Sequence, residues 1–225
     1  MPLLRRFQAC RAFVAVCGFT TSSVCAQTTF DLVPSVGYYL PTANFAQSQE
    51  SATWLPDSPR NLRGVAVDVD ARWWFHNKVG LQLQLGDAFS TIHFADVQSA
   101  VIGVPPDPNP FHSLGAQVQF LAAQVMTNVA PLDARYRVWL GIGPAVVHHA
   151  GDAYSFDPSF RSSYDVGAVV GCGGEIPIHS RLRATIGLES LSYWIHVDNP
   201  SDHHSLERGF QTDLMLHAGI TWALR

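Results

Sequence analysis

From Val65 to Phe75 every second residue is apolar: Val65, Val67, Val69, Ala71, Trp73 and Phe75 alternate with Ala66, Asp68, Asp70, Arg72 and Trp74. A two-residue repeat sends successive side chains to opposite faces of a strand, so this segment has one apolar face and one largely charged face. The pattern recurs along the chain. Strands are expected at residues 29–40, 62–75, from 79 onward, 113–129, 135–149, 164–177, 181–194 and 207–222. Two segments break the rule. Asp87 falls on the apolar parity of the third segment, and in the fourth Leu114, Ala116, Val118 and Phe120 hold one parity while Ala123, Val125, Thr127 and Val129 hold the other. The second break predicts a bulge near Phe120 and Leu121.

The connections alternate too. Long polar segments at 41–61, 94–112, 151–160 and 196–205 are separated by short turns at 76–78, 131–134 and 178–180. The second long segment holds Pro105, Pro106, Pro108 and Pro110, which cannot donate to a ladder. Eight strands joined in this order form an all-β, antiparallel up-and-down meander with every long loop at one end. Closed on itself, it is an eight-stranded barrel.

Residues 1–26 read as a cleaved signal peptide: Arg5, Arg6 and Arg11 form a basic start, residues 12–19 a short apolar core, and Val24, Cys25 and Ala26 a small-residue cleavage site. Residues 27–225 are then the barrel domain. Cys10, Cys17 and Cys25 depart with the signal, which leaves Cys172 alone and excludes an intramolecular disulfide framework. The remaining 11 Lys and Arg face 18 Asp and Glu, a formal charge of −7, so nucleic acid is not an expected partner.

Alternation alone does not say which face is dry. In a soluble ligand-binding barrel the apolar face would point inward; in a membrane barrel it would meet lipid. The aromatic residues on the apolar parity favour the second arrangement. Trp73, Phe75, Tyr136 and Trp222 sit at the tight-turn end, Phe89, Trp194 and Phe210 at the long-loop end, and aliphatic residues lie between. Two aromatic belts are what two membrane interfaces select. The polar parity then fills the lumen with Asp68, Asp70, Arg72, Arg137, Glu175, Arg183, Glu189, Asp213 and His217, together with Trp74, Gln82, Gln84, Trp139 and Asp165. Glycines on that face, such as Gly141, Gly173 and Gly187, leave room for the larger side chains. A three-residue turn at 178–180 would set Glu175 directly opposite Arg183.

Over residues 29–222 this architecture resembles the small eight-stranded outer-membrane barrels: the transmembrane domain of outer-membrane protein A, outer-membrane protein X and the opacity proteins. The resemblance implies a bacterial outer-membrane location, contact with outer-membrane lipid and lipopolysaccharide, and a structural or surface-interaction role through the outer loops, with no cofactor. The ending Leu216, Ala218, Ile220 and Trp222 is similar to the signal read by the barrel-assembly machinery, although Ala223, Leu224 and Arg225 follow the terminal aromatic. The peptidoglycan-binding domain of longer relatives is not expected.

Two chemical alternatives arise. Some barrels of this kind are lipid A deacylases with a Ser/His/acid arrangement; the nearest candidate is His203, His204 and Ser205 with Glu207, in a loop and without the flanking pattern of that group. Histidines and aspartates also gather in the long loops. His203 and His204 are the weak candidates for a metal at the rim, but no ligand motif of short spacing accompanies them.

Overall fold

The computed structural model describes residues 28–42, 60–61, 63–75, 78–95, 111–131, 134–152, 164–195 and 209–224. Eight long strands form one sheet: β1 (Thr28–Pro41), β2 (Gly64–Phe75), β3 (Val79–Ala95), β4 (Phe111–Asn128), β5 (Arg137–Ala150), β6 (Tyr164–His179), β7 (Leu182–Ile195) and β8 (Gly209–Leu224). Each pairs antiparallel with its neighbour in sequence, and β1 pairs with β8 to close the barrel. A two-residue stretch, Arg60–Asn61, extends the sheet against His93 and Ile92. Closure removes the exposed edge that an open meander would leave.

The structure decides which face is dry. Asp70, Gln84, Glu175, Glu189 and Asp213 are fully buried, whereas Leu85 is 65% exposed, Ile142 60% and Ile186 58%. The charged parity points inward and the apolar parity outward, the opposite of a soluble ligand-binding barrel.

Three expectations are corrected. No bulge interrupts β4: the β3 pairing runs through Gly86↔Phe120 and Leu85↔Leu121 without a shift. Ala116, Val118 and Phe120 therefore stay on the inward face with Gln124 and Met126, and the lumen is apolar at mid-height, where the polar parity was expected to fill it throughout. Glu175 pairs with Arg183 at 3.4 Å but is not directly opposite it. A register shift between Pro177 and His179 sets Pro177 opposite Arg183 and Glu175 opposite Thr185, while Arg137 on β5 is the residue directly opposed to Glu175. The ladder at the second long connection also runs further than residues 94–112 imply, to Ala95↔Phe111.

Asp87 keeps its register and faces outward beside Gln117, whose amide donates to its carboxylate. Prolines leave local gaps. The β4–β5 register has no pairs for Ala123 and Gln124 opposite Pro144 and Gly143, and the β1–β8 register skips Val33 and Pro34. A residue without an N–H cannot complete the ladder there.

Candidate functional site: the layered lumen

The inward side chains stack in layers along the barrel axis. The lowest, toward the tight turns, is ionic and is built around Glu175. Arg72 reaches across the lumen, donating from Nη1 to Glu175 at 2.8 Å, from Nη2 to Asp70 at 2.7 Å and from Nε to Gln82 at 2.7 Å. Arg137 donates through Nη1 to Asp31 and to Glu175, each at 3.0 Å. Arg183, one third exposed, approaches Glu175 at 3.4 Å. Three guanidinium groups thus meet the carboxylates of Asp31, Asp70 and Glu175, which balances the layer. Asp31, absent from the expected lumen set, makes that balance; its place on the inward parity of β1 was the available signal.

Two tryptophans brace this layer. The Arg137 guanidinium lies 4.4 Å from the ring centre of Trp74 and that of Arg72 4.9 Å from Trp139, within the range of cation–π attraction. Gly173 makes space for the second ring, since a Cβ there would stand 2.5 Å from Trp139.

Above it, Glu189 accepts from three side-chain amides: Gln84 at 2.7 Å, Gln124 at 2.9 Å and Gln82 at 3.4 Å. Neutral donors on adjacent strands satisfy a buried carboxylate without an arginine. Nearby, Ser35 donates to Asp68 at 2.5 Å and His217 Nδ1 stands 3.5 Å from the same carboxylate. Gly187 accommodates His217, whose Nε2 would lie 2.0 Å from an added Cβ.

The middle layer is apolar: Val118, Phe120, Val147, Val169, Leu191 and Met215 are all at most 3% exposed and pack with Ala66, Ala88, Ala116, Ala122 and Ala145. The top layer returns to polar contacts. Tyr39 and Tyr193 each donate to Asp213 Oδ2 at 2.8 Å, and Gln211 donates to Oδ1 at 2.7 Å. His149 Nε2 lies 3.3 Å from the Tyr193 hydroxyl, and its Nδ1 lies 3.5 Å from Asp165. This cluster joins β1, β5, β6, β7 and β8. Of its members only Asp165 and Asp213 were expected inside; Tyr39, His149 and Tyr193 follow from extending strand parity to the last residues before the loops.

The outward aromatics take the positions their parity requires. Phe75 (38% exposed), Trp73, Tyr136 and Trp222 lie at the tight-turn end, and Phe89, Trp194 and Phe210 toward the long loops, with Trp194 and Phe210 edge to face at 5.2 Å between centroids. Glu189 and His217, both expected in the lumen, have separate partners. Among the described residues no group of three His, Cys, Asp or Glu is arranged to hold a metal. His203, His204, Ser205 and Glu207 lie outside the described residues, as do residues 1–26.

The comparisons add a fold. No protein-family profile matches the sequence, and no curated protein does. Solved structures do. Outer membrane protein OprG from Pseudomonas aeruginosa is similar with a TM-score of 0.57 at 8% identity, over 87% of this chain and 96% of that one. Neisserial surface protein A has a TM-score of 0.52 at 10% identity, over 86% of this chain and 96% of that one. At such identities the likeness is one of architecture: the chain has the eight-stranded antiparallel barrel fold of small outer-membrane barrel proteins.

Proposed function

We propose that the chain is an integral outer-membrane barrel of a diderm bacterium, exported by a cleaved signal at residues 1–26, with a structural or surface-interaction role through its extracellular loops. One observation carries this reading: an exposed apolar wall, bounded by aromatic residues, surrounds a buried charged interior. Ten residues separate Phe75 from Val65 on β2. At ~3.3 Å per residue and a tilt near 40° they rise about 25 Å, the height of the apolar band of such barrels. Trp73, Phe75, Tyr136 and Trp222 then mark the periplasmic interface, and Phe89, Trp194 and Phe210 the outer one. Outer-membrane lipid and lipopolysaccharide are the contacts of that wall, and the ending through Trp222 serves the barrel-assembly machinery.

In this reading both termini and the three tight turns lie in the periplasm, because an even number of strands returns the chain to its starting side. The polar network of Asp68, Asp70, Arg72, Arg137, Glu175, Arg183, Glu189, Asp213 and His217 closes the lumen, so the barrel acts at its rims and wall. The test is fractionation with heat-modifiable gel mobility, combined with protease added to intact cells. Cutting confined to residues 41–61, 94–112, 150–162 and 196–206 is the expected result. Cleavage at 76–78 or 178–180 in unbroken cells would reverse the sidedness, and a water-soluble protein without heat-modifiable mobility would end the membrane reading.

A further inference from the structure

Seven carboxylates of the long strands, Asp31, Asp68, Asp70, Asp165, Glu175, Glu189 and Asp213, are buried in the lumen. The one remaining on those strands, Asp87, stands on the outward wall, and neither the closed lumen nor the aromatic belts give it a role. It is directly opposite Val67 on β2 and Gln119 on β4, and lies two residues below Phe89 on its own strand. At ~3.3 Å per residue and a tilt near 40°, that places it about 5 Å inside the outer aromatic belt. A charged group on a lipid-facing wall is costly unless matching chemistry meets it.

Its surroundings are polar on one side and apolar on the other. The Gln117 amide donates to Asp87 Oδ2, whereas Oδ1 is withdrawn from solvent and has no hydrogen-bond partner among the described residues. The polar row continues away from β3. Gln119 is directly opposite His148 on β5, and His148 is directly opposite Tyr164 on β6, with the two rings stacked at 4.5 Å between centroids. Toward the tight turns the wall is apolar. A groove of about 410 Å³ is lined there by Val67, Val69 and Leu85, and Asp87 and Gln119 line it on the side of the long loops.

We propose that this groove binds a lipid whose acyl chains are amide-linked and hydroxylated next to the headgroup, with the chain along Val67, Val69 and Leu85 and its N–H or O–H donating to Asp87. The inference deepens the proposed membrane reading and rests on it. An ionised carboxylate only accepts hydrogen bonds. The ester carbonyls and phosphate of a plain phosphatidylcholine also only accept, so that lipid leaves Asp87 unmet. An amide-linked, hydroxylated chain brings donors to the level just below the headgroup, where Asp87 stands, and its carbonyl and hydroxyl oxygens suit the amides of Gln117 and Gln119. The partly exposed Gln119 side chain turns to admit the donor, which makes its amide a reporter of binding. Hydrogen bonds to a charged acceptor are strong where water is scarce. A second copy of the chain suits the row less well: Arg72, Arg137 and Arg183 are the Lys and Arg residues of the long strands, and all three turn to lumen carboxylates, which leaves none to meet Asp87.

The test uses the full mature chain refolded in phosphatidylcholine nanodiscs, titrated with an N-(β-hydroxyacyl)glucosamine lipid while the side-chain amide resonances of Gln117 and Gln119 are followed. A matched glucose lipid with plain ester-linked chains is the control. Saturable shifts are expected with the first lipid and a response at least about tenfold weaker with the second. Asp87→Leu, which makes this part of the wall apolar, should remove the preference at Gln119 and leave heat-modifiable mobility intact. Equal responses to the two lipids would overturn recognition by donors, and an undiminished preference in Asp87→Leu would overturn the site. A cross-linked dimer of the wild type that is lost in Asp87→Leu, without a lipid response, would give the row to a second copy instead. A chain that enters nanodiscs with heat-modifiable mobility and shows no response loses this site alone, whereas a chain that stays water-soluble loses the membrane reading and the site together.

Discussion

Glu175→Ala is the sharpest test of the ionic layer. The carboxylate is fully buried and accepts from Arg72 at 2.8 Å, Arg137 at 3.0 Å and Arg183 at 3.4 Å. Truncation changes the balance from three cations and three anions to three and two, inside a lumen with little access to water. Breaking a buried pair from one side typically costs about 3 to 5 kcal/mol. Here Arg72 keeps Asp70 at 2.7 Å and Arg137 keeps Asp31 at 3.0 Å, so the expected loss is near the lower limit, about 3 kcal/mol. The three arginines then differ in coupling. Arg137 is directly opposite Glu175 and buried, whereas Arg183 is two positions off register and one third exposed. Double-mutant cycles should give roughly 1 to 3 kcal/mol for Glu175 with Arg137 or Arg72, and under about 0.5 kcal/mol for Glu175 with Arg183. The assay is urea unfolding of the protein refolded in lipid vesicles, read by tryptophan fluorescence, with gel mobility as the check on barrel formation. A loss below about 0.5 kcal/mol for Glu175→Ala, or a coupling to Arg183 larger than that to Arg137, would refute the assignment of Glu175 as the hub.

Four further outcomes follow from the rest of the barrel. Phe120→Ala empties the centre of the apolar layer and should cost about 3 to 5 kcal/mol in the same assay. Gly86→Ala, whose Cβ would stand 2.2 Å from the Phe120 ring, should destabilise the wild type but be relieved in the Phe120→Ala background; additive effects would contradict the contact. A spin label on Cys172, the exposed free cysteine on the outward face of β6, should show collision with oxygen and not with a water-soluble nickel chelate in vesicles, and the reverse would place that wall in water. Planar bilayers holding the wild type should show no steady conductance, because Phe120, Val118 and Leu191 fill the section between the two polar layers; a large stable current would contradict a closed lumen.

The strands and their inward and outward faces were legible because a two-residue repeat maps one-to-one onto the faces of a sheet, and Val65 to Phe75 shows it without a break. The depth-dependent chemistry of the lumen was not. Taking the polar parity as the inward one throughout made Phe120, Val118 and Ala116 look misplaced, and a bulge was the local remedy. In the structure these residues keep their register and the interior itself changes character with height. The β6–β7 hairpin failed for a different reason. Turn length fixes register only when the ladder beside it is regular, and the shift at Pro177, a residue with no N–H to donate, set Arg183 two positions off register from Glu175 while leaving the two in contact at 3.4 Å. Contacts such as Tyr39 with Asp213, 174 residues apart, depend on barrel closure and have no local signal.

The order of the layers has a physical logic. A salt bridge gains most where water is excluded, but burying charges is costly unless every carboxylate and guanidinium is matched. The apolar middle layer seals the ionic layer from the long-loop end, while Trp74 and Trp139 cover Arg137 and Arg72 from within. Matching is then achieved with residues from six strands: Asp31 from β1, Asp70 and Arg72 from β2, Gln82 from β3, Arg137 from β5, Glu175 from β6 and Arg183 from β7. No pair of neighbouring strands can satisfy this set, so the layer is complete only in the closed barrel, in the correct register. The Tyr39, Tyr193 and Asp213 cluster imposes the same requirement at the other end across the β1–β8 seam. The lumen therefore specifies closure and register from inside the barrel.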